Sequence, residues 1–99
     1  MTYFLAPEAV EEIQEIFTWY LAHASPRVAA AFLDEFERAA RLVDRDPGLG
    51  TKTSNGRLVF PVRRYPYSLI YRQTDEGTRI GAIAHKRRGP RYRQHAERR

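Results

Sequence analysis

The chain has 99 residues, 42% of them apolar, and a formal net charge of +5; that suffices for one domain with its own core and is too little for two. It has no cysteine, which excludes disulfides, thiolate metal sites and cysteine nucleophiles and fits a reducing compartment. No apolar run nears the roughly 20 residues of a membrane span, and the opening MTYFLAPEAVEE lacks the basic start and apolar core of a secretory leader. A cytoplasmic protein with a single domain over residues 1–99 is expected.

Residues 2–5 are a short β-prone stretch, stopped by Ala6-Pro7. Proline suits the first position of a helix, where its missing N–H is not needed. Ala6 is a poor cap, so the helix start rests on Pro7 and on Glu8, Glu11 and Glu12 near the positive end of the dipole. From there Val10, Ile13, Phe17, Tyr20, Leu21 and Ala24 recur at helical spacing, with Ile16 beside them. Glu8, Glu11, Glu12 and Glu15 take the opposite face, which predicts an amphipathic first helix.

Ser25-Pro26 restarts the pattern, with Ser25 as cap and Pro26 as first helical residue. Val28, Ala29, Phe32, Phe36, Ala39, Ala40 and Val43 form the second apolar stripe, and Asp46-Pro47-Gly48 ends it. A link this short between two amphipathic helices predicts an antiparallel helical hairpin. Residues 48–56 are a polar loop, after which the period switches to alternation. Strands are predicted over 57–62, 67–73 and 78–84, joined by turns at 63–66 and 74–77. The order is β-α-α-β-β-β: an α+β domain with the hairpin packed on a small antiparallel sheet that strand 2–5 completes. The predicted core is Leu5, Ile13, Phe17, Tyr20, Phe32, Phe36, Val43, Leu69, Tyr71, Ile80 and Ala82.

Charge divides the chain unevenly. Residues 1–56 carry 5 Lys/Arg against 9 Asp/Glu, whereas residues 57–99 carry 12 against 3. The tail over 86–99 is the most basic part, and such an end points to a polyanion or an acidic protein partner. In a meander the turn at 63–66 and the exit of the last strand lie at one end of the sheet. Arg63, Arg64, Lys86, Arg87 and Arg88 should therefore converge, with Arg91 following. Such a cluster contacts phosphates or carboxylates, and its tyrosines are candidates for stacking on bases.

Other chemistry is absent from the pattern. His23, His85 and His95 form no ligand-spaced pair, so neither a metal nor a cofactor is expected. Gly48-Leu49-Gly50 has no strand before it and no helix after it, and no serine sits in a nucleophile elbow. Trp19 lies at the border of the first helix's apolar face. Packing against the sheet flank or the second helix is its expected role, and anchoring a partner protein is the alternative.

Four pieces in this order carry a resemblance. They are Ala9 with the acidic helix through Tyr20, the Ala31-Phe32 helix ending at Asp46-Pro47-Gly48-Leu49-Gly50, the stretch Arg64-Tyr65-Pro66-Tyr67 to Ile70-Tyr71-Arg72, and Ala82-Ile83-Ala84-His85-Lys86-Arg87-Arg88 followed by Pro90 and Tyr92. Together they resemble the RelE/ParE superfamily of toxins from bacterial type II toxin–antitoxin modules. The resemblance implies the same fold and a cognate antitoxin partner, here expected to offer an acidic, partly disordered segment. RelE-like members cleave messenger RNA on the ribosome without metal, using arginines, lysines and often a late tyrosine. Arg87 and Tyr92 match the late pair, with Arg63 or Arg64 as a substitute from the turn. The arginine that cleaving members place early in the third strand corresponds to Ser68, which cannot stabilise an anionic transition state. ParE-like members lack this set and are associated with poisoning DNA gyrase, and that branch is the closer one. Under it no residue is catalytic, and Arg63, Arg64, Lys86, Arg87, Arg88, Arg91 and Trp19 are candidates for binding target or antitoxin. An inactive, antitoxin-binding remnant is the third reading.

Overall fold

Both helices begin on a proline. In the computed structural model, which describes residues 2–86, α1 is Pro7–His23 and α2 is Pro26–Arg45. Ser25 caps α2 as expected, its Oγ accepting from the Val28 N–H at 3.1 Å, while Ala6 leaves α1 without a side-chain cap. The strands are β1 (Tyr3–Leu5), β2 (Thr51–Lys52), β3 (Leu58–Pro61), β4 (Tyr67–Thr74) and β5 (Gly77–His85), and a short 3-10 turn spans Pro47–Leu49. They form one five-stranded sheet in the order β1-β5-β4-β3-β2, with the two helices on one face. Among the described residues no helix is long and apolar enough to cross a membrane.

The α+β class and the element order are those expected; two features of the sheet differ. It is mixed rather than antiparallel, because β1 pairs with β5 in parallel, Tyr3 opposite Thr78 and Leu5 opposite Ile80. Only a tight turn forces neighbours antiparallel, and Ala6-Pro7 sends β1 straight into a helix instead. The second feature is β2, which pairs antiparallel with β3 inside the predicted polar loop. Two exposed polar residues leave no alternation to read. The turn after β2 closes through the Thr53 N–H on the Arg57 carbonyl at 2.8 Å, with Gly56 at φ 84°.

β4 turns Leu69 and Tyr71 to the helices, as predicted, and Ser68 and Ile70 to the other face. In β5 the register slips: Ile70 faces Ala82 whereas Tyr71 faces Ile80, leaving Gly81 as a bulge. The bulge turns both Ile80 and Ile83 into the core and moves Ala82, a predicted core residue, to the outer face with Ile70.

The core is built on α2. Phe32, Phe36, Ala39, Ala40 and Val43 are buried against Val62, Leu69, Tyr71, Ile80 and Ile83. Leu5, Ile13 and Tyr20 pack at its margin, and Phe17 is half-buried outside it. α1 is rotated from the predicted orientation, burying Ala9, Glu12 and Ile16 and leaving Val10 and Leu21 exposed. The reason is the rim of β5. Once β1 ends at Leu5, the next outward N–H of β5, that of Ile83, needs an acceptor, and Glu12 Oε1 supplies it at 2.7 Å. A carboxylate read as solvent-facing is therefore a buried sheet-edge cap, 6% exposed.

The exit of α2 is fixed by Tyr71. Its hydroxyl donates to the Pro47 carbonyl at 2.7 Å and accepts from the Gly50 N–H at 2.9 Å. A Cβ at position 50 would run into this phenol, so glycine is required there. Burial pushes the Tyr71 pKa above its ordinary value against the pull of the Gly50 N–H, keeping the hydroxyl protonated and donating.

Candidate functional site

The turn between β3 and β4 is where the basic cluster was expected. It closes with the Val62 N–H on the Tyr67 carbonyl at 2.8 Å and places Arg64 at φ 74°, a left-handed conformation that costs energy without glycine. Tyr65 offsets that cost by holding the turn against the helices. Its hydroxyl donates to the Val28 carbonyl at 3.0 Å, and its ring meets Phe32 at 5.3 Å and Tyr20 at 5.4 Å, both edge-on. Burial, and then Glu35, pushes the Tyr65 pKa up, so the phenol stays a donor. Tyr67 packs on Phe32 at 5.8 Å. The tyrosines of this stretch thus build the core margin, which corrects the reading of their rings as stacking platforms for bases.

The exit of β5 lies beside this turn, as the meander requires: the Lys86 N–H donates to the Pro66 carbonyl at 2.8 Å. The arginines do not all converge with it. Arg63 reaches to α2, where it pairs with Glu35 Oε2 at 3.5 Å. Arg64 and Lys86 are exposed. Arg87, Arg88, Arg91 and Tyr92 lie outside the described residues.

A groove of 340 Å³ opens on the face of the sheet turned away from the helices. Its floor is Val59, Ser68, Ile70 and Ala84; its rim is Arg57, His85, Lys86 and the polar turn at 53–55. Residues two apart on a strand share a face, and the cross-strand pairs Pro61–Ser68 and Ser68–Ala84 align the three strands into this floor. Ser68 is therefore central to the groove and largely covered. Arg57 and His85 are groove residues that the sequence reading did not single out. Arg57 was detectable, because it has the same parity as Val59 and Pro61 and so shares their face. His85 also meets Tyr67 edge-on at 5.2 Å. The groove can receive an anionic or polar segment over an apolar floor, and among the described residues no cluster could hold a metal.

Trp19 departs from its expected packing. It is 52% exposed, stacks on His23 at 4.4 Å and meets Tyr20 edge-on at 5.3 Å, its ring contacts among the described residues all coming from α1. The reason is the rotation of α1 about the Glu12 attachment, which carries Trp19 outward.

Residues 3–90 match the family model described as "ParE toxin of type II toxin-antitoxin system, parDE". The chain belongs to the ParE toxin family. Among solved structures it is similar to one described as "Chromosomal ParDE TA system from P. aeruginosa", with a TM-score of 0.75 and 16% identity over 86% of this chain and 95% of that one. At that identity the likeness is one of fold. No curated protein matches the chain. Membership in the family makes this chain a toxin-type protein of a type II toxin–antitoxin system, and implies an antitoxin partner.

Proposed function

We propose that this chain acts as a ParE-like inhibitor of DNA gyrase and is neutralised by a cognate antitoxin. The observation that supports this reading is Ser68. It occupies the middle of the outer groove, where the resemblance to RNA-cleaving relatives calls for an arginine. Of the two substitutes the turn offers, Arg63 is drawn to Glu35 on the helix side, and Arg64 is exposed. Without that cation the centre of the groove floor holds no charge to stabilise a pentacoordinate phosphate, Arg57 and Lys86 standing at the rim, and losing one such electrostatic contact typically costs on the order of 100- to 1000-fold in rate. Arg64, Lys86, Arg87, Arg88 and Arg91, with Arg63 at its ion pair, serve as the surface for target or antitoxin. An acidic antitoxin segment that folds on binding suits them, and Trp19 stands apart from this set on α1.

One observation favours the second reading, ribosome-dependent cleavage of messenger RNA. Arg57 and Lys86 border the same groove and can neutralise phosphate. Inducing the chain alone, and together with the neighbouring reading frame, separates the readings when combined with primer extension on messenger RNA. Gyrase inhibition gives filamentation, an SOS response and intact messages, and the neighbouring frame relieves the arrest. Codon-phased cuts that vanish in Tyr92→Phe establish cleavage instead, and unimpaired growth establishes an inactive remnant.

A further inference from the structure

The groove on the outer face of the sheet holds polar groups that the fold itself does not use. Arg57 and Lys86 at its rim are exposed and form no ion pair among the described residues. The Ser68 hydroxyl on the floor has no hydrogen-bond partner among them either, although the residue is only 9% exposed. An occupant that covers this hydroxyl must bond it, since a polar group sealed without a partner costs binding energy. Val59, Ile70 and Ala84 complete the floor, all aliphatic. Tyr65, Tyr67 and Tyr71 pack on the core instead, so the floor offers no aromatic plane on which a base stacks. Two cations around an aliphatic floor suit carboxylates and an aliphatic side chain, which is the chemistry of an acidic peptide rather than of RNA.

We propose that an extended segment of the antitoxin lies across this groove, with aliphatic side chains between two carboxylates that pair with Arg57 and Lys86. Such docking rests on the antitoxin partner proposed above, and gives one stretch of it a place and a composition. The register sets the length of that stretch. β4 lies between β3 and β5. Leu58 faces Tyr71, so Arg57 stands level with Arg72, whereas Lys86 is bonded to Pro66. Those two levels are about 20 Å apart along β4, and β3 and β5 are about 10 Å apart across it. The diagonal is about 22 Å, the reach of about seven extended residues. Side chains alternate along such a segment, so every second one faces the sheet. The two end residues meet the cations, and the inner ones rest on Val59 and Ile70. Ser68 and Ala84, a cross-strand pair of small residues, let the segment's main chain come down to the Ser68 hydroxyl.

The chain holds two lysines, Lys52 and Lys86. Lys52 pairs with Leu58, whose side chain packs on the core, so it faces away from the groove. In the complex of the full chain with the product of the neighbouring reading frame, a carbodiimide joins a lysine amine to a carboxylate it touches. An amide forms, and the carbodiimide takes up the water as a urea. Mass spectrometry of the unaltered complex should find Lys86 joined to an acidic residue of the partner, and Lys52 not joined.

Binding titrations then separate the groove from charge alone. Arg57→Glu with Lys86→Glu should weaken the complex about tenfold at low salt and little near 1 M salt, where the Debye length is about 3 Å. Ser68→Ala should weaken it by about twofold to tenfold. Val59→Lys adds a cation yet should weaken binding about tenfold, because it removes the aliphatic seat. Arg38→Glu, exposed on α2, should leave the affinity unchanged. Far-UV circular dichroism checks the folding of each variant, and the cross-link needs none. A link at Lys52 in place of Lys86, affinity indifferent to the groove changes, a tighter Val59→Lys complex or no complex at all overturns the proposal. So do groove variants that keep the partner but lose gyrase inhibition or the binding of a short single-stranded RNA. Gyrase assayed with the chain alone tests the proposed function by itself, so either reading can fail without the other.

Discussion

α1 and α2 start alike, each on a proline, and then do different work. α2 buries seven residues from Ala29 to Asp44 and supplies the helical side of the core. α1 buries three, one of them a glutamate, and leaves Val10, Trp19 and Leu21 in solvent. The difference teaches that an apolar stripe does not by itself decide how a helix sits. α2 lies over the middle of the sheet, where apolar burial sets its rotation. α1 lies over the rim of β5, where an unpaired N–H sets it, and the apolar residues left outside become surface for contacts. The two helices should therefore respond to mutation in different ways.

The largest effect belongs to α2. Phe32→Ala removes a fully buried ring that touches Tyr20, Tyr65 and Tyr67, and should lower the free energy of unfolding by about 3–5 kcal/mol in urea denaturation. Such a change in a small domain can leave little folded protein. Next comes the one deep attachment of α1. Glu12→Ala strands the Ile83 N–H and should cost about 1–3 kcal/mol, with faster hydrogen exchange at that amide. Glu11→Ala, one residue away and exposed, should change stability by no more than about 0.5 kcal/mol. Equal effects at positions 11 and 12 would break the account of how α1 is oriented.

Tyr71→Phe tests the exit of α2. It removes the bonds to Pro47 and Gly50 and should cost about 0.5–1.5 kcal/mol for each. The folded-state pKa of Tyr71 is raised, so its contribution is complete below the unfolded value of 10.0 and declines as pH rises through the folded one. The wild type should accordingly lose stability above about pH 10 more steeply than Tyr71→Phe, measured by denaturation across that range. The smallest effect is that of Trp19→Ala, within about 0.5 kcal/mol, since the ring is half exposed and, among the described residues, stacks only on its own helix. A loss of several kcal/mol there would place Trp19 in the core after all.

Much of this fold was legible in the chain. Pro7, Ser25-Pro26 and Asp46-Pro47 bound the helices by local chemistry, and the alternation put Leu69 and Tyr71 on one face of β4; which face meets the helices was not legible, since Ser68 and Ile70 on the other are buried too. What escaped depends on partners distant in sequence. Glu12 looks like its exposed neighbours until Ile83 lies beneath it, 71 positions away. The Gly81 bulge, which exchanges Ala82 for Ile83 in the core, exists only once β4 and β5 are paired. For the candidate site, the meander brought Lys86 to the β3–β4 turn, but the pull of Glu35 on Arg63 needed the third dimension. Arg57 shares the face of Val59 and Pro61 by parity, but the groove it borders also needs the turn at 53–55, and the two polar residues of β2 could not announce that hairpin.

The central functional claim rests on Ser68 and is tested most directly with the purified chain in two parallel reactions. One contains DNA gyrase and relaxed plasmid; the other contains ribosomes programmed with messenger RNA. The account predicts that supercoiling is inhibited or that cleavage complexes accumulate, while the messenger RNA stays whole. Codon-phased cleavage of the ribosome-bound message, with gyrase unaffected, would contradict it.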